Sequence, residues 1–220
     1  MFKCCIFDLD GTLLNTITTI THYIEITLEA HGLRDTDEEE IVGYVGNGAK
    51  NLIWQVLRAR NIDDPDFFAT FYREYSDAYD EAPNYLTRPY DGICELLSEL
   101  SEKGIKLAVL SNKPDFATRS IIDTFFGGLF DVVHGGREGI PLKPAPDGIF
   151  GILSELGVKG EECCYIGDSE VDVKTGIAAS LDGAVAVTWG FRTPEVLREA
   201  GAARLIDTVE ELRSFILSGN

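Results

Sequence analysis

Cys4-Cys5-Ile6-Phe7-Asp8-Leu9-Asp10-Gly11-Thr12 is the stretch on which the reading of this chain turns. A short apolar run, the length of a buried strand, ends in two carboxylates one residue apart, then a glycine and a hydroxyl. Carboxylates are costly to bury, so a pair at the tip of a buried strand calls for a cation. The glycine lets backbone N–H groups come close to a second, anionic ligand. A cation and an anion at one strand end make a chemical site. An acidic turn is the plainer alternative, and three later segments, around Ser111, Lys143 and Asp168, decide between them.

Beyond Thr12 the pattern turns helical. Ile17, Ile20, Ile24 and Leu28 share one face before Gly32 stops the run. Asp37-Glu38-Glu39-Glu40 suits a solvated helix start, where acids complement the dipole. Gly46-Asn47-Gly48 opens a helix with Ala49, Leu52, Ile53, Val56 and Leu57 on one side. Asp63-Asp64-Pro65 starts another, in which Phe67, Phe71, Tyr75 and Tyr79 recur at helical spacing, a stripe read as core. Ala82-Pro83-Asn84 breaks it, so residues 15–84 read as an all-helical module without a strand.

From Arg88 helix and strand alternate. Strands are expected at Leu107–Leu110, Phe130–Val133, Cys163–Ile166 and Ala184–Val187, with amphipathic helices between them and two more helices from Pro194 and around Val209. Such alternation means a parallel sheet covered on both faces, an α/β fold. The first strand belongs to that sheet, so the helical module is an insertion after it. The expected division is a core of residues 1–14 and 85–220 with a helical cap of residues 15–84. Ligands of such sheets bind at the carboxyl ends of the strands. Asp8 and Asp10, Ser111 and Asn112, and Gly167 and Asp168 all fall there.

Bulk properties narrow the function classes. The 220 residues are 45% hydrophobic and 25% charged, with a formal net charge of −18. So acidic a chain repels nucleic acid and anionic membranes, and neither is an expected partner. No apolar run reaches the length of a membrane span. The immediate entry into a strand leaves no room for a signal peptide, so a cytoplasmic location is expected. Of the five cysteines, Cys4-Cys5 and Cys163-Cys164 are adjacent pairs in strand-like runs, read as small buried hydrophobes in a reducing compartment. His22, His31 and His134 have no partner at metal-ligand spacing and are read as structural or surface residues.

Each group at the strand ends has a distinct capability. Asp8, beside a divalent cation, is a carboxylate nucleophile able to form an aspartyl-phosphate. Asp10 is placed to protonate a leaving alkoxide and later to activate water. Ser111 and the N–H groups of Asn112 and Gly11 can bind phosphoryl oxygens. Lys143 supplies fixed positive charge, and Asp168 completes an oxygen-rich set suited to Mg²⁺. Phosphoryl transfer depends mainly on positioning and electrostatics, which these groups can supply.

Phe7-Asp8-Leu9-Asp10-Gly11-Thr12, Leu110-Ser111-Asn112-Lys113-Pro114, Lys143-Pro144-Ala145-Pro146-Asp147 and Gly167-Asp168-Ser169-Glu170-Val171-Asp172 resemble, in order, the four motifs of the haloacid dehalogenase superfamily. The resemblance spans nearly the whole chain. It implies a Rossmann-like core with a helical cap, Asp8 as nucleophile and Asp10 as acid/base. It also implies Mg²⁺ held by Asp8, the Asp10 carbonyl and Asp168, with Asp172 supporting the metal or lying near it. Because Asp10 is present, phosphate-ester hydrolysis or phosphomutase chemistry is implied rather than dehalogenation.

Val45-Gly46-Asn47-Gly48-Ala49-Lys50-Asn51-Leu52 is similar to the cap loop of phosphoglycolate phosphatases. Gly48 N–H and Lys50 are therefore candidates to recognise the far end of a small phosphorylated metabolite, against the plainer reading of a tight turn and a solvated lysine. The expected activity is a Mg²⁺-dependent phosphatase, 2-phosphoglycolate leading; a sugar-phosphate phosphatase, a β-phosphoglucomutase-like mutase and a catalytically silent binding protein are the alternatives. The expected assembly is a monomer or homodimer. Asn15, Gly176 and Ser180-Leu181 depart from the family pattern at linker and helix-packing positions. Trp189 could wall the pocket or pack, and Arg192 could draw in substrate.

Overall fold

The opening strand, β1 (Cys4–Phe7), lies in the middle of the sheet in the computed structural model, which describes residues 1–218. Seven more strands follow: β2 (Leu14–Asn15), β3 (Arg88–Pro89), β4 (Lys106–Pro114), β5 (Val132–Gly136), β6 (Cys163–Gly167), β7 (Gly183–Val187) and β8 (Leu205–Ile206). Six of the eight strands in the described residues form one sheet in the order β5-β4-β1-β6-β7-β8, with every pairing parallel. Phe7 stands level with Val109 on one side and Ile166 on the other. The residues that follow these three therefore emerge together, and the register brings Asp8, Ser111 and Asp168 to one edge.

Both faces of the sheet are covered. Cys5 and Phe7 join one core cluster and Cys4 and Ile6 the other. No residue of β1 reaches solvent, which is why it reads as an unbroken apolar run rather than an alternation. In register, Cys4 faces Cys163 and Cys5 faces Cys164; all four are buried free thiols, as expected, and Cys94 is exposed.

Four helices, α1 (Ile17–Ala30), α2 (Glu38–Val42), α3 (Ala49–Arg58) and α4 (Pro65–Glu81), are inserted between β2 and β3. Asp37 and Asp64 cap α2 and α4, accepting from Glu40 N at 2.9 Å and from Asp66 N at 2.9 Å. The sheet is covered by α5 (Ile93–Glu102), α6 (Asp115–Phe126), α7 (Asp147–Leu156), α8 (Glu170–Ala178), α9 (Pro194–Glu199) and α10 (Val209–Ser218). Among the described residues no helix is long and apolar enough to cross a membrane.

Three details differ from the sequence-based reading. Asn15 is not in a strandless stretch: β2 pairs antiparallel with β3, Leu14 with Pro89 and Asn15 with Arg88, and ties off both ends of the insertion. Two-residue strands carry no periodicity to read. The strand expected from Phe130 begins at Val132, because Asp131 turns its carboxylate to Leu107 N at 3.0 Å. The third, β8, is again two residues long.

Gly176 on α8 has a packing reason. A Cβ there would meet Ala184 Cβ of β7 at 2.6 Å, with Tyr165 Cδ1 at 3.6 Å. Alanine gains about 1 kcal/mol of helix propensity, but overpacking costs about 1–3 kcal/mol, and the second effect prevails. Gly176→Ala is expected to lower stability by about 1–2 kcal/mol in urea unfolding. In a double-mutant cycle with Ala184→Gly, the pair is expected to lose less than the sum of the single changes.

Candidate active site

The chain leaves β1 at Asp8 and turns sharply at Gly11, whose φ is +89°. Leu13 N and Leu14 N both return to Leu9 O at 3.1 Å, and Gly11 N donates to Leu14 O at 2.9 Å. This corrects the expectation that the Gly11 N–H binds phosphoryl oxygens, since that donor is spent inside the turn. Glycine is required here for space and backbone angle instead. A Cβ on Gly11 would sit 2.3 Å from Asp168 Oδ2, and one on Gly190 2.3 Å from Asp168 Cβ. Asp168 is seated between two glycines, accepting from Thr12 Oγ1 at 2.9 Å and Phe191 N at 2.7 Å.

Lys143 occupies the centre of the cluster. Its Nζ lies 2.8 Å from Asp8 Oδ1 and 2.7 Å from Asp172 Oδ1. Asp172 also accepts from Tyr165 Oη at 2.7 Å and Ser169 Oγ at 2.6 Å, so its carboxylate is fully engaged in holding Lys143. Burial alone would lower the Lys143 pKa and raise that of Asp172. Each opposes the other's shift: the carboxylates of Asp172 and Asp8 hold the ammonium above its usual range, and Lys143 brings Asp172 below the carboxylate range.

Asp8 and Asp168 are not so relieved. Burial, the Asp172 charge and the Asp168 charge push Asp8 well up despite Lys143. Burial and Asp172 push Asp168 up to about 7. Acid oxygens of Asp8, Asp168 and Asp172 lie within 4.8 Å of one another. Three carboxylates against one ammonium leave two negative charges uncompensated in a buried site, an electrostatic fit for a divalent cation. With Asp172 engaged, Asp8 and Asp168 are the carboxylates with oxygen left to offer.

Asp10 stands beside this cluster with partners of its own. Lys113 Nζ lies 3.0 and 3.2 Å from its two oxygens, and Thr16 Oγ1 donates to it at 2.7 Å. Lys113 was missed in the sequence-based reading although its signal is simple. Lys113 stands two residues beyond Ser111 in a β4 that runs on to Pro114, and both line the same cavity although the pairing with β5 is irregular between Leu110 and Pro114. Burial alone would lower its pKa; Asp10, Tyr79 and Tyr75 outweigh that and hold it charged.

Asn112 acts as a splint through its side-chain amide. Its Oδ1 accepts from Lys143 N at 2.8 Å, and its Nδ2 donates to Lys143 O and to Gly46 O, each at 2.9 Å. Arg192 ties the same cap loop from the other side. It donates to Val42 O at 2.6 Å, Val45 O at 2.7 Å and Glu170 Oε2 at 2.7 Å. The loop between α2 and α3 is thereby fastened over a cavity of about 290 Å³.

Asp8, Asp10, Ser111, Asn112, Lys143, Asp168 and Gly48 all line that cavity. Lys50 does not; it is exposed on the far side of the first turn of α3. Tyr75 and Tyr79, read as core, are buried and also line the cavity, with the Lys113 ammonium 4.9 Å from the Tyr79 ring centroid. Trp189 packs, its Nε1 donating to Thr12 O at 3.1 Å, and Phe191 takes the wall position instead. His31 and His134 pair with Glu74 and Glu155 at 2.6 and 3.0 Å, and His22 packs on Tyr23 and Tyr85.

Residues 5–186 match the family model of haloacid dehalogenase-like hydrolases. A protein of Aquifex aeolicus named phosphoglycolate phosphatase is 33% identical over 190 residues, covering 86% of each chain. A protein of the same name from Rhodospirillum rubrum is 32% identical, covering 98% of this chain and 91% of its own. A crystal structure from Lactobacillus delbrueckii superposes with a TM-score of 0.89 at 33% identity over 98% of both chains.

The raised acid gives a linkage prediction. A carboxyl whose folded pKa exceeds its unfolded value costs stability as pH rises from the unfolded pKa through the folded one. The cation-free protein is expected to lose stability from Asp168 between pH 3.8 and about 7. Mg²⁺ at a hundred times its Kd is expected to add about 2.7 kcal/mol at neutral pH, about 5–10 °C in Tm. In thermal melts across pH, Asp168→Asn should remove most of that response.

Proposed function

Since the chain belongs to the haloacid dehalogenase-like hydrolase family, we propose that it is a Mg²⁺-dependent phosphatase acting on a small phosphomonoester through an aspartyl-phosphate on Asp8. The observation that carries this is the Lys143 ammonium between Asp8 and Asp172, 2.8 and 2.7 Å away. It fixes one Asp8 oxygen and leaves the other for the cavity. Asp10, Lys113, Ser111 and Asp168 line the same cavity.

In the first half-reaction the free Asp8 oxygen attacks phosphorus and the bond from phosphorus to the ester oxygen breaks. Asp10 gives its proton to the departing alkoxide. In the second half-reaction Asp10 takes a proton from water, whose oxygen attacks phosphorus and releases phosphate and the Asp8 carboxylate. Ser111 Oγ and Lys113 are positioned to receive phosphoryl oxygens. Mg²⁺ held by Asp8, Asp168 and the Asp10 carbonyl would offset the repulsion between Asp8 and an incoming phosphate dianion. Asp172 keeps Lys143 in place and thereby orients Asp8.

Residues 15–84 serve as the cap and, among the described residues, 1–14 and 85–218 as the core. Substrate enters with the cap loop released, and fastening that loop excludes bulk water from the first transfer. The relatives' names put 2-phosphoglycolate first among candidate substrates; sugar phosphates come next. The buried free thiols support a reducing, cytoplasmic setting.

Phosphate release from a panel of monoesters, with and without Mg²⁺, tests the assignment. Asp8→Asn is expected to abolish turnover, by about a thousandfold or more, with the fold intact by circular dichroism. Asp10→Asn is expected to cost about 10²–10⁴-fold in kcat. Undiminished Mg²⁺-dependent hydrolysis in Asp8→Asn would contradict the assignment.

A further inference from the structure

The stretch from Thr188 to Arg192, between β7 and α9, is held at every position. Thr188 donates from its N–H to Ile206 O at 3.1 Å and from its hydroxyl to Asp207 Oδ1 at 2.7 Å. Trp189 donates to Thr12 O, and Gly190 lies so close to Asp168 and Gly11 O that no Cβ fits. Phe191 N donates to Asp168 Oδ2 at 2.7 Å. Arg192, the next residue, reaches the loop between α2 and α3.

Among the described residues Arg192 is the only donor to Val42 O and Val45 O, 2.6 and 2.7 Å away. Both carbonyls lie at the C-terminal end of α2, where a helix leaves acceptors without partners of its own. The same guanidinium gives its Nε hydrogen to Glu170 Oε2 at 2.7 Å, and the side chain is only 10% exposed. A planar fork can serve acceptors on two sides at once. A lysine ammonium is a compact point charge and cannot span them.

Glu170 stands two residues after Asp168, and Phe191 directly precedes Arg192. A closed ring results: from Asp168 to Phe191 N, along the chain to Arg192, across to Glu170, and back through Ser169. The ring has little slack, because Gly190 is packed on Asp168 and Ser169 Oγ is bonded to Asp172 at 2.6 Å. Releasing the α2–α3 loop would free the guanidinium and loosen both contacts that flank Asp168. Conversely, a cation drawn to Asp168 would fix that carboxylate, and with it the position from which Arg192 grips the loop. Two events that favour the same arrangement strengthen each other by the same factor.

We propose that Arg192 is a positioning residue that couples a divalent cation at Asp168 to the fastening of the α2–α3 loop. The site is then shut more firmly when the cation that phosphoryl transfer needs is in place. This rests on the Mg²⁺-dependent phosphatase reading above and adds to it a link between the cation and the cap.

Calorimetric Mg²⁺ titration and hydrogen exchange of residues 43–48, with and without Mg²⁺, test the coupling in the absence of substrate. In the unmodified protein Mg²⁺ is expected to slow exchange in that loop about fivefold or more. Arg192→Lys keeps the charge and loses the fork. It is expected to weaken Mg²⁺ binding about fivefold or more and to remove most of the exchange response. Arg192→Gln takes a positive charge from the neighbourhood of the site, which by Coulomb attraction alone would tighten Mg²⁺; the coupling predicts weaker binding instead. Unchanged affinity in Arg192→Lys, or tighter binding in Arg192→Gln, overturns the proposal. Where a variant fails to fold, the unmodified protein decides: Mg²⁺ binding without a change in loop exchange overturns the coupling and leaves the phosphatase reading standing. No Mg²⁺ binding at all overturns both.

Discussion

A buried ammonium between two buried carboxylates organises this protein, because Lys143 can neutralise only part of the charge that the strand ends bring together. Asp8, Asp168 and Asp172 are each 7% exposed or less, and their mutual repulsion would be prohibitive without compensation. Lys143 answers Asp172 and one oxygen of Asp8. In the proposed mechanism the charge left over is what draws a cation and, with one bound, a phosphoryl group. Removing Asp172 would free Lys143 without touching the substrate side, so that residue is best understood as holding the lysine in register with β1.

The rest of the architecture serves this charge balance. Gly11 and Gly190 let two turns close onto Asp168 without a side chain between them. Asn112 links the Lys143 segment to the cap loop through Gly46, and Arg192 fastens that loop to Glu170. The loop between α2 and α3 is thus tied to the segment whose lysine holds Asp8. In the proposed mechanism, closure over the substrate and alignment of Asp8 are connected through Asn112, which bonds both the loop and the Lys143 segment.

Much of this was legible in the chain itself, for a physical reason. A strand buried on both faces reads as a short apolar run, and the register of parallel strands places whatever follows each run at one edge. Asp8, Ser111 and Asp168 were found that way. Lys113 escaped because the run at Leu107–Leu110 ends where apolar residues end, while the strand goes on, through irregular pairing, to Pro114. Tyr75 and Tyr79 were read as core because helical spacing reports burial and cannot say whether the buried face meets protein or a cavity. Lys50 was misleading for the converse reason: one turn into a helix, a residue's face depends on how the helix docks. The Gly11 N–H was assigned to a ligand by residue type, and only the turn geometry shows that Leu14 already takes it.

The identity of the atom that accepts the phosphoryl group is the central claim, and it can be observed directly. Acid quenching during turnover, borohydride reduction and peptide mass spectrometry should find homoserine in place of aspartate at Asp8, and only when substrate and Mg²⁺ are both present. Reduction at another carboxylate, or an unmodified Asp8 while phosphate is being released, would contradict the account.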